Sequence, residues 1–236
     1  MFPALTTEQM AEVDRLMIEE YGIRLIQMME NAGRNLAEQA RRLSGGDLRG
    51  KGMAVLCGGG NNGGGGMVAA RHLHNRGAVV WAKLLPDEDR LKDISAHQWR
   101  ILKTMGVPTI DQPADLPHKV DLVIDAMIGY GLQGDPRGLV VEWIDWANNS
   151  GAPILALDTP SGLDTTTGIP GTPCIKAAAT LTLALPKTGL FSPEARSYVG
   201  ELFLADISVP PGLYGKLGIK IGSIFAPDTI IKVEAV

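Results

Sequence analysis

The chain has 236 residues, 45% of them hydrophobic, enough to bury the core of one large α/β domain. Its net charge is -4, with acids and bases mixed along the chain, so there is no basic tract for nucleic acid and no basic amphipathic stretch for a membrane surface. Aromatic residues make up 5%, too few for a base-stacking platform, and no apolar run approaches the ~20 residues that span a bilayer. The N-terminus lacks the basic-then-apolar order of a secretion signal, and a cytoplasmic setting is expected. Cys57 and Cys174 cannot build a disulfide framework or a four-cysteine metal site, and they read as small buried hydrophobes.

Thr6 with Gln9 is the signature of a capping box, and Met10, Val13, Met17 and Ile18 follow at helical spacing. Gly22 ends that helix. A second is expected from about Ile23 to Leu43, with Leu25, Met28, Met29, Ala32 and Leu36 on its inner face, and Ser44-Gly45-Gly46 stops it. The chain then alternates. Strands are predicted at 53–57, 79–84, 120–125, 154–157, 179–183 and 201–204, and helices at 63–76, 91–104 and 138–149. This order implies βαβ units in a single α/β domain over residues 1–236, a Rossmann-like three-layer fold with a mainly parallel sheet and two N-terminal helices. No long helix separates the strands at 179–183 and 201–204, so a mixed sheet is expected there.

Ligands of open α/β sheets bind beyond the carboxyl ends of strands, near the switch in strand order. Four strand ends carry glycine and polar groups. The first is Gly58-Gly59-Gly60-Asn61-Asn62-Gly63, where bare backbone N–H groups at a helix start suit a phosphate. Gly58, Gly60 and Gly63 fit a dinucleotide fingerprint, but the acid that should follow ~20 residues later is missing, because the next strand ends Trp81-Ala82-Lys83-Leu84. This disfavours an ordinary NAD-linked dehydrogenase. Asp125 and Asp158 each close an apolar strand beside a glycine-rich loop. Capping explains one such Asp, whereas two at neighbouring strand ends point to a site. Asn62, Asp125 and Ser161 together offer three oxygen donors with one formal charge, which suits a hard monovalent cation better than a transition metal. Lys187, after a late strand, reads equally as an anion-binding or acid–base lysine and as a surface lysine in a turn. His72, His74, His97 and His118 have no metal-site spacing and read as structural or surface residues. Asp164 and Asp206 read as caps.

Three segments are similar, in order and spacing, to the hallmarks of the NAD(P)H-hydrate epimerase family, also called the YjeF N-terminal domain. They are Gly58-Gly59-Gly60-Asn61-Asn62-Gly63-Gly64-Gly65-Gly66, then Asp125-Ala126-Met127-Ile128-Gly129-Tyr130-Gly131, then Asp158-Thr159-Pro160-Ser161-Gly162. Met29-Glu30-Asn31-Ala32-Gly33 in the second helix agrees as well. The resemblance covers nearly the whole chain. It implies an isomerase that interconverts the R and S forms of hydrated NADH and NADPH, damaged cofactors bearing a hydroxyl on the reduced ring. It implies a potassium ion held by Asn62, Asp125 and Ser161. It implies substrate held by Asn61, Asn62, Gly63, Gly64 and Gly65, by Gly129, Tyr130, Gly131, Leu132, Gln133, Gly134 and Asp135, and by Asp158. In the family a homodimer often forms through the first helices. Here the stripe Met10, Met17, Met28 and Met29 would serve, or those methionines pack on the sheet. A fused dehydratase domain is not expected in this chain.

One position departs from the family pattern: its loop carries an Asp where this chain has Gly65. The loss of a general acid or base typically costs ~10²–10⁴-fold in rate. A weakened epimerase, a non-catalytic nucleotide-binding or scaffold member, and an enzyme for another substrate all remain open on that residue. Epimerisation at a carbon bearing both hydroxyl and ring nitrogen requires reversible bond breaking there, by loss of hydroxide to an iminium or by ring opening to an aldehyde. Asp158 is the expected acid–base residue, with Asp125 and the ion ordering the loop.

Overall fold

The computed structural model describes residues 2–132 and 134–234. Two helices come first, α1 (Thr7–Glu19) and α2 (Leu25–Leu43). The alternating part runs β1 (Gly52–Cys57), α3 (Asn61–Asn75), β2 (Val79–Leu84), α4 (Asp93–Thr104), β3 (Leu122–Ala126), α5 (Leu139–Asn149) and β4 (Ile154–Leu157). It closes with β5 (Ala179–Leu183), the short α6 (Arg196–Val199), β6 (Glu201–Ala205), α7 (Pro211–Lys216) and β7 (Ile230–Lys232). The strands form one sheet in the order β2-β1-β3-β4-β5-β6-β7. Among the described residues, no helix is long and apolar enough to cross a membrane.

Local chemistry explains most element ends. The Thr6 hydroxyl accepts a hydrogen bond from the Gln9 N–H, and the Gln9 side chain accepts one from the Thr6 N–H, so the capping box predicted for α1 is present. Every residue of β1, β3 and β4 is buried, as central parallel strands require, and Asp125 is the one charged residue among them. Asp125 lies inside β3, one residue before its end. It pairs in register with Leu56 on one side and Ala156 on the other. That end of the sheet is mixed as expected, although not between 179–183 and 201–204. Here β5 and β6 run parallel, from Ala179 beside Glu201 to Leu183 beside Ala205, because a turn of 3-10 helix at Thr188–Phe191 and α6 suffice to bring the chain back. Mixing enters one strand later, where β7 pairs antiparallel with β6. At three residues, β7 is too short to show a period in sequence.

The helix after β1 starts at Asn61, not at Gly63, so four consecutive glycines lie inside its first turns. Helical glycine costs roughly 0.5–1 kcal/mol against alanine. What offsets that cost is the approach of α2. A Cβ on Gly64 would lie 2.5 Å from Met29 Cε, and one on Gly33 of α2 would lie 2.4 Å from Val68 Cβ and 2.6 Å from the Gly65 carbonyl oxygen. The two helices therefore touch backbone to backbone over the sheet, where Leu36, Ala37, Ala40, Met67, Ala70 and Leu73 share a core with β1 and β3. On the other face, Trp143, Ile144 and Ala147 of α5 pack on Val123, Ala156 and Ile154. Met10, Met17, Met28 and Met29 are at most 4% exposed. The methionine stripe is thus internal and unavailable to a second copy.

Gly33→Ala gains helix propensity but places a methyl group inside the van der Waals radius of Val68. The overpacking outweighs the gain, and a net loss of about 1–3 kcal/mol is expected in urea unfolding. A variant as stable as the parent would show that α2 and α3 can separate without cost.

Candidate active site

In the strand order β2-β1-β3 the chain crosses from one side of β1 to the other, so the loops after β1 and β3 leave the sheet side by side. Glycine brings them together. The Gly58 N–H donates to the Ala126 carbonyl at 3.1 Å, and a Cβ on Gly58 would lie 1.9 Å from the Met127 carbonyl oxygen. A Cβ on Gly63 would lie 1.8 Å from the Gly58 carbonyl oxygen, so α3 can start only where residue 63 has no side chain. Gly60 is the N-cap of α3, which leaves the N–H groups of Asn61, Asn62 and Gly63 at the helix mouth for an anion. Gly129 packs against the Asn62 side chain.

A cavity of about 350 Å³ opens at this junction. Of the residues expected from the sequence, Asn61, Asn62, Gly65, Gly129, Tyr130, Gly131 and Asp158 line it. Gly63 and Gly64 do not; they are buried where α3 meets the Gly58 loop and α2. Leu132, Gly134 and Asp135 do not line it either. The Asp135 carboxylate instead accepts from the Thr172 N–H at 2.9 Å and so ties two loops together. Gln133 lies outside the described residues. Met10, Leu25, Met28, Met29 and Ile207 add an apolar wall. Asp14 of α1 lines the cavity as well, and sequence reasoning missed it because an acid within an amphipathic helix reads as solvated surface.

Asp158 directly follows β4 with φ of 69°, a left-handed conformation uncommon for any residue but glycine. Such strain persists only where the surroundings hold it, and it collects at functional sites. The Asp158 carboxylate is ion-paired with Lys187. It also accepts from the Leu183 N–H at 3.3 Å and the Thr182 hydroxyl at 3.4 Å. Lys187 is fully buried and gives a further hydrogen bond to the Leu183 carbonyl at 2.9 Å. The surface-turn reading of Lys187 is therefore wrong. The chain before α1 covers it, with Leu5 bridged to it in parallel. Asp158 faces the cavity and Lys187 stands behind it.

Asp125 is fully buried, and among the described residues it has no cationic partner. Its carboxylate accepts from the Ser161 hydroxyl at 2.6 Å, the Ser161 N–H at 2.7 Å and the Met127 N–H at 3.2 Å. Burial nevertheless pushes its pKa up to about 6. Ser161 Oγ also accepts from the Ile128 N–H at 2.9 Å, so residues 127–129 connect Asp125 and Ser161 to Asn62. One end of the Asn62 carboxamide is buried without a hydrogen-bond partner, and a half-turn of the amide places oxygen there. An uncompensated carboxylate, a hydroxyl and an orphaned carboxamide make an all-oxygen donor set that fits a hard cation of low charge. Among the described residues, no cluster of His, Cys, Asp and Glu would favour a transition metal.

Elsewhere on the cavity wall the Tyr130 hydroxyl donates to the Asp14 carboxylate at 2.6 Å. Burial raises the Asp14 pKa, and both burial and the Asp14 charge raise that of Tyr130. The remaining acids behave as caps: Asp164 accepts from the N–H groups of Thr166 and Thr167, and Asp206 from that of Ser208. His72 bonds Glu30 at 2.8 Å, outside the cavity.

Removal of one partner of a buried pair strands the other charge, so Lys187→Met should lose about 3–5 kcal/mol of stability. Asp158→Asn combined with Lys187→Met should recover part of it. A single variant that unfolds with the parent would mean that the pair is not buried in solution.

The family described as YjeF-related protein N-terminus matches residues 25–189. An NAD(P)H-hydrate epimerase of Dehalogenimonas lykanthroporepellens is 42% identical over 216 residues, covering 92% of this chain and 86% of that protein. One of Lentilactobacillus buchneri is 35% identical over 213 residues, covering 90% and 97%. The bifunctional NAD(P)H-hydrate repair enzyme of Salinibacter ruber is 35% identical over 237 residues, and this chain spans 44% of its length. Among solved structures, yeast ynu0 superposes with a TM-score of 0.82 at 25% identity, over 98% of this chain and all of that one.

Proposed function

The chain belongs to the YjeF-related N-terminus family, and we propose that its cavity interconverts the R and S forms of hydrated NADH and NADPH. One observation carries this reading: the N-terminus of α3, with Asn61 and Asn62, opens on the same cavity as the strained, ion-paired Asp158. The helix mouth suits the pyrophosphate and the apolar wall suits the reduced ring. This leaves Asp158 as the polar group for the ring hydroxyl. As the acid–base residue, it exchanges a proton with the hydroxyl oxygen while the ring nitrogen lone pair takes up the positive charge left on carbon. Lys187 holds the Asp158 carboxylate in place and stores the proton that it uses.

Asn62, Asp125 and Ser161 would hold a potassium ion beside this cavity. Bound there, the ion supplies the countercharge that Asp125 lacks. With the Asp125 pKa raised in the fold from 3.8 to about 6, its contribution to stability is present below pH 4 and is lost as pH rises through about 6. Potassium, by favouring the charged form, should restore it on the alkaline side. Replacing choline chloride with potassium chloride at equal ionic strength should raise Tm at pH 7.5, much less at pH 5, and not at all in Asp125→Asn. A Tm indifferent to potassium at pH 7.5 would remove the ion from this site.

A non-catalytic nucleotide-binding module is the second reading, and Gly65 is what favours it. The position lines the cavity, and a Cβ there would stand 2.8 Å from Leu157 Cδ2, so no carboxylate is offered where the family carries one. Against it stand the left-handed Asp158 and its buried lysine, two costs that a passive binder has no reason to carry. Exchange between the epimers of hydrated NADH, followed by NMR, separates the two readings. The parent should interconvert them, and Asp158→Asn, whose side chain tolerates the same backbone and still accepts from Lys187, should lose at least about 10²-fold while NADP still binds. Full turnover in that variant would take Asp158 out of the reaction.

A further inference from the structure

The two epimers present their hydroxyl groups to opposite faces of the ring, and a single acid–base group reaches one face. The cavity has two hydrogen-bonded pairs carried by separate elements. Asp158 at the end of β4 is backed by Lys187, and Tyr130 in the loop after β3 is bonded to Asp14 of α1 at 2.6 Å. Asp14 precedes the segment 25–189 that defines the family match, and the reaction described at Asp158 makes no use of it. Resting on that reading of the cavity, we propose that Tyr130 is a second catalytic residue, with Asp14 as the positioning residue behind it, and that the pair handles the proton on the ring face turned away from Asp158.

The hydrogen bond has the polarity this requires. Tyr130 gives its one hydroxyl proton to Asp14, which leaves its oxygen lone pairs for a donor in the cavity. Asp14 has no ion pair among the described residues, so its proton affinity is set by burial, by the Tyr130 bond, by Lys187 and by Asp158, with Tyr214 of α7 also within electrostatic reach. Its helix neighbour Arg15 is turned outward to Glu12 and Glu19.

The protons and electrons balance. Asp158, drawing on Lys187, protonates the hydroxyl of one epimer. The carbon–oxygen bond breaks with its electron pair on oxygen, water leaves, and the nitrogen lone pair forms a carbon–nitrogen double bond. Water then adds to the opposite face: an oxygen lone pair forms the new bond to carbon, and the electrons of the double bond return to nitrogen. The surplus proton passes to the Tyr130 oxygen as Tyr130 passes its own to Asp14. The return reaction exchanges the two roles; before a second turnover in the same direction, Asp14 gives its proton to water in the cavity and Lys187 regains one from that water through Asp158, and nothing is oxidised or reduced.

The test follows interconversion of purified R and S hydrated NADH in water enriched in oxygen-18, across pH, with thermal unfolding and NADP binding as controls. Tyr130→Phe should retain Tm and NADP binding and lower kcat by at least about 10²-fold. Asp14→Asn should lower kcat at least about tenfold and remove the acid limb of the kcat/KM profile, and Asp14→Glu should restore part of both. The label should enter the product. Rates within about threefold of the parent in both Tyr130→Phe and Asp14→Asn, with the acid limb intact, would overturn the pair, as would epimerisation that leaves the label in the water. A parent chain that binds NADP but never exchanges the epimers would overturn the underlying reading of the cavity, and the pair with it.

Discussion

The structure turns on one steric constraint, the contact between the loop after β1 and the loop after β3. At Gly58 the two backbones are so close that a single methyl group would sit 1.9 Å from the Met127 carbonyl oxygen. Because that gap is closed, residues 127–129 can reach Ser161 on one side and Asn62 on the other, and Tyr130 is brought to the cavity on which α3 opens. The parallel sheet sets the direction of these loops, and glycine sets their separation. An alanine at residue 58 would part the two loops, and one at residue 63 would push the start of α3 off Gly58, before either altered any polar group in the site.

Charge is distributed in this site against the usual preference for solvation. Lys187 and Asp158 are buried as a pair, Asp125 is buried with only dipoles around it, and Asp14 is half-buried against a phenol. None of these is a favourable way to stabilise a domain: a buried pair at best repays its desolvation, and an unpaired carboxylate does not. The fold can tolerate them because the apolar layers lie elsewhere, between α2, α3 and the sheet on one face and under α5 on the other. These costly groups gather in and around one 350 Å³ cavity, where burial raises the proton affinity of Asp14 and Asp125, as sites adjusted for chemistry do.

Much of this was legible in the sequence. The alternation of strands and helices, the capping box at Thr6, and the strand ends that carry Asn61, Asn62, Asp125 and Asp158 are local patterns, and local patterns survive folding. What escaped depended on distant contacts. Lys187 looked ambiguous because nothing near it in sequence discloses that Leu5 and the chain before α1 bury it. Asp14 looked like solvent-facing charge because its partner, Tyr130, is 116 residues away. The glycines at 63 and 64 read as ligand contacts, whereas Gly63 makes room for the Gly58 carbonyl and Gly64 for Met29 of α2. β7 and α7 are too short to generate a period at all.

An enzyme that accepts two epimers must tolerate a ring whose substituent switches face, and rigid complementarity to one would exclude the other. The cavity wall addresses this with Met10, Met28 and Met29, unbranched side chains that refill space at little cost when the substituent moves. Rigidity falls on Asp158 and Tyr130, the groups proposed to exchange protons, each held by a second residue. The same division explains why α1 belongs to the site although it stands outside the sheet. It supplies both a yielding methionine, Met10, and, one turn further on, the fixed carboxylate Asp14, so the two requirements are met from a single face of one helix.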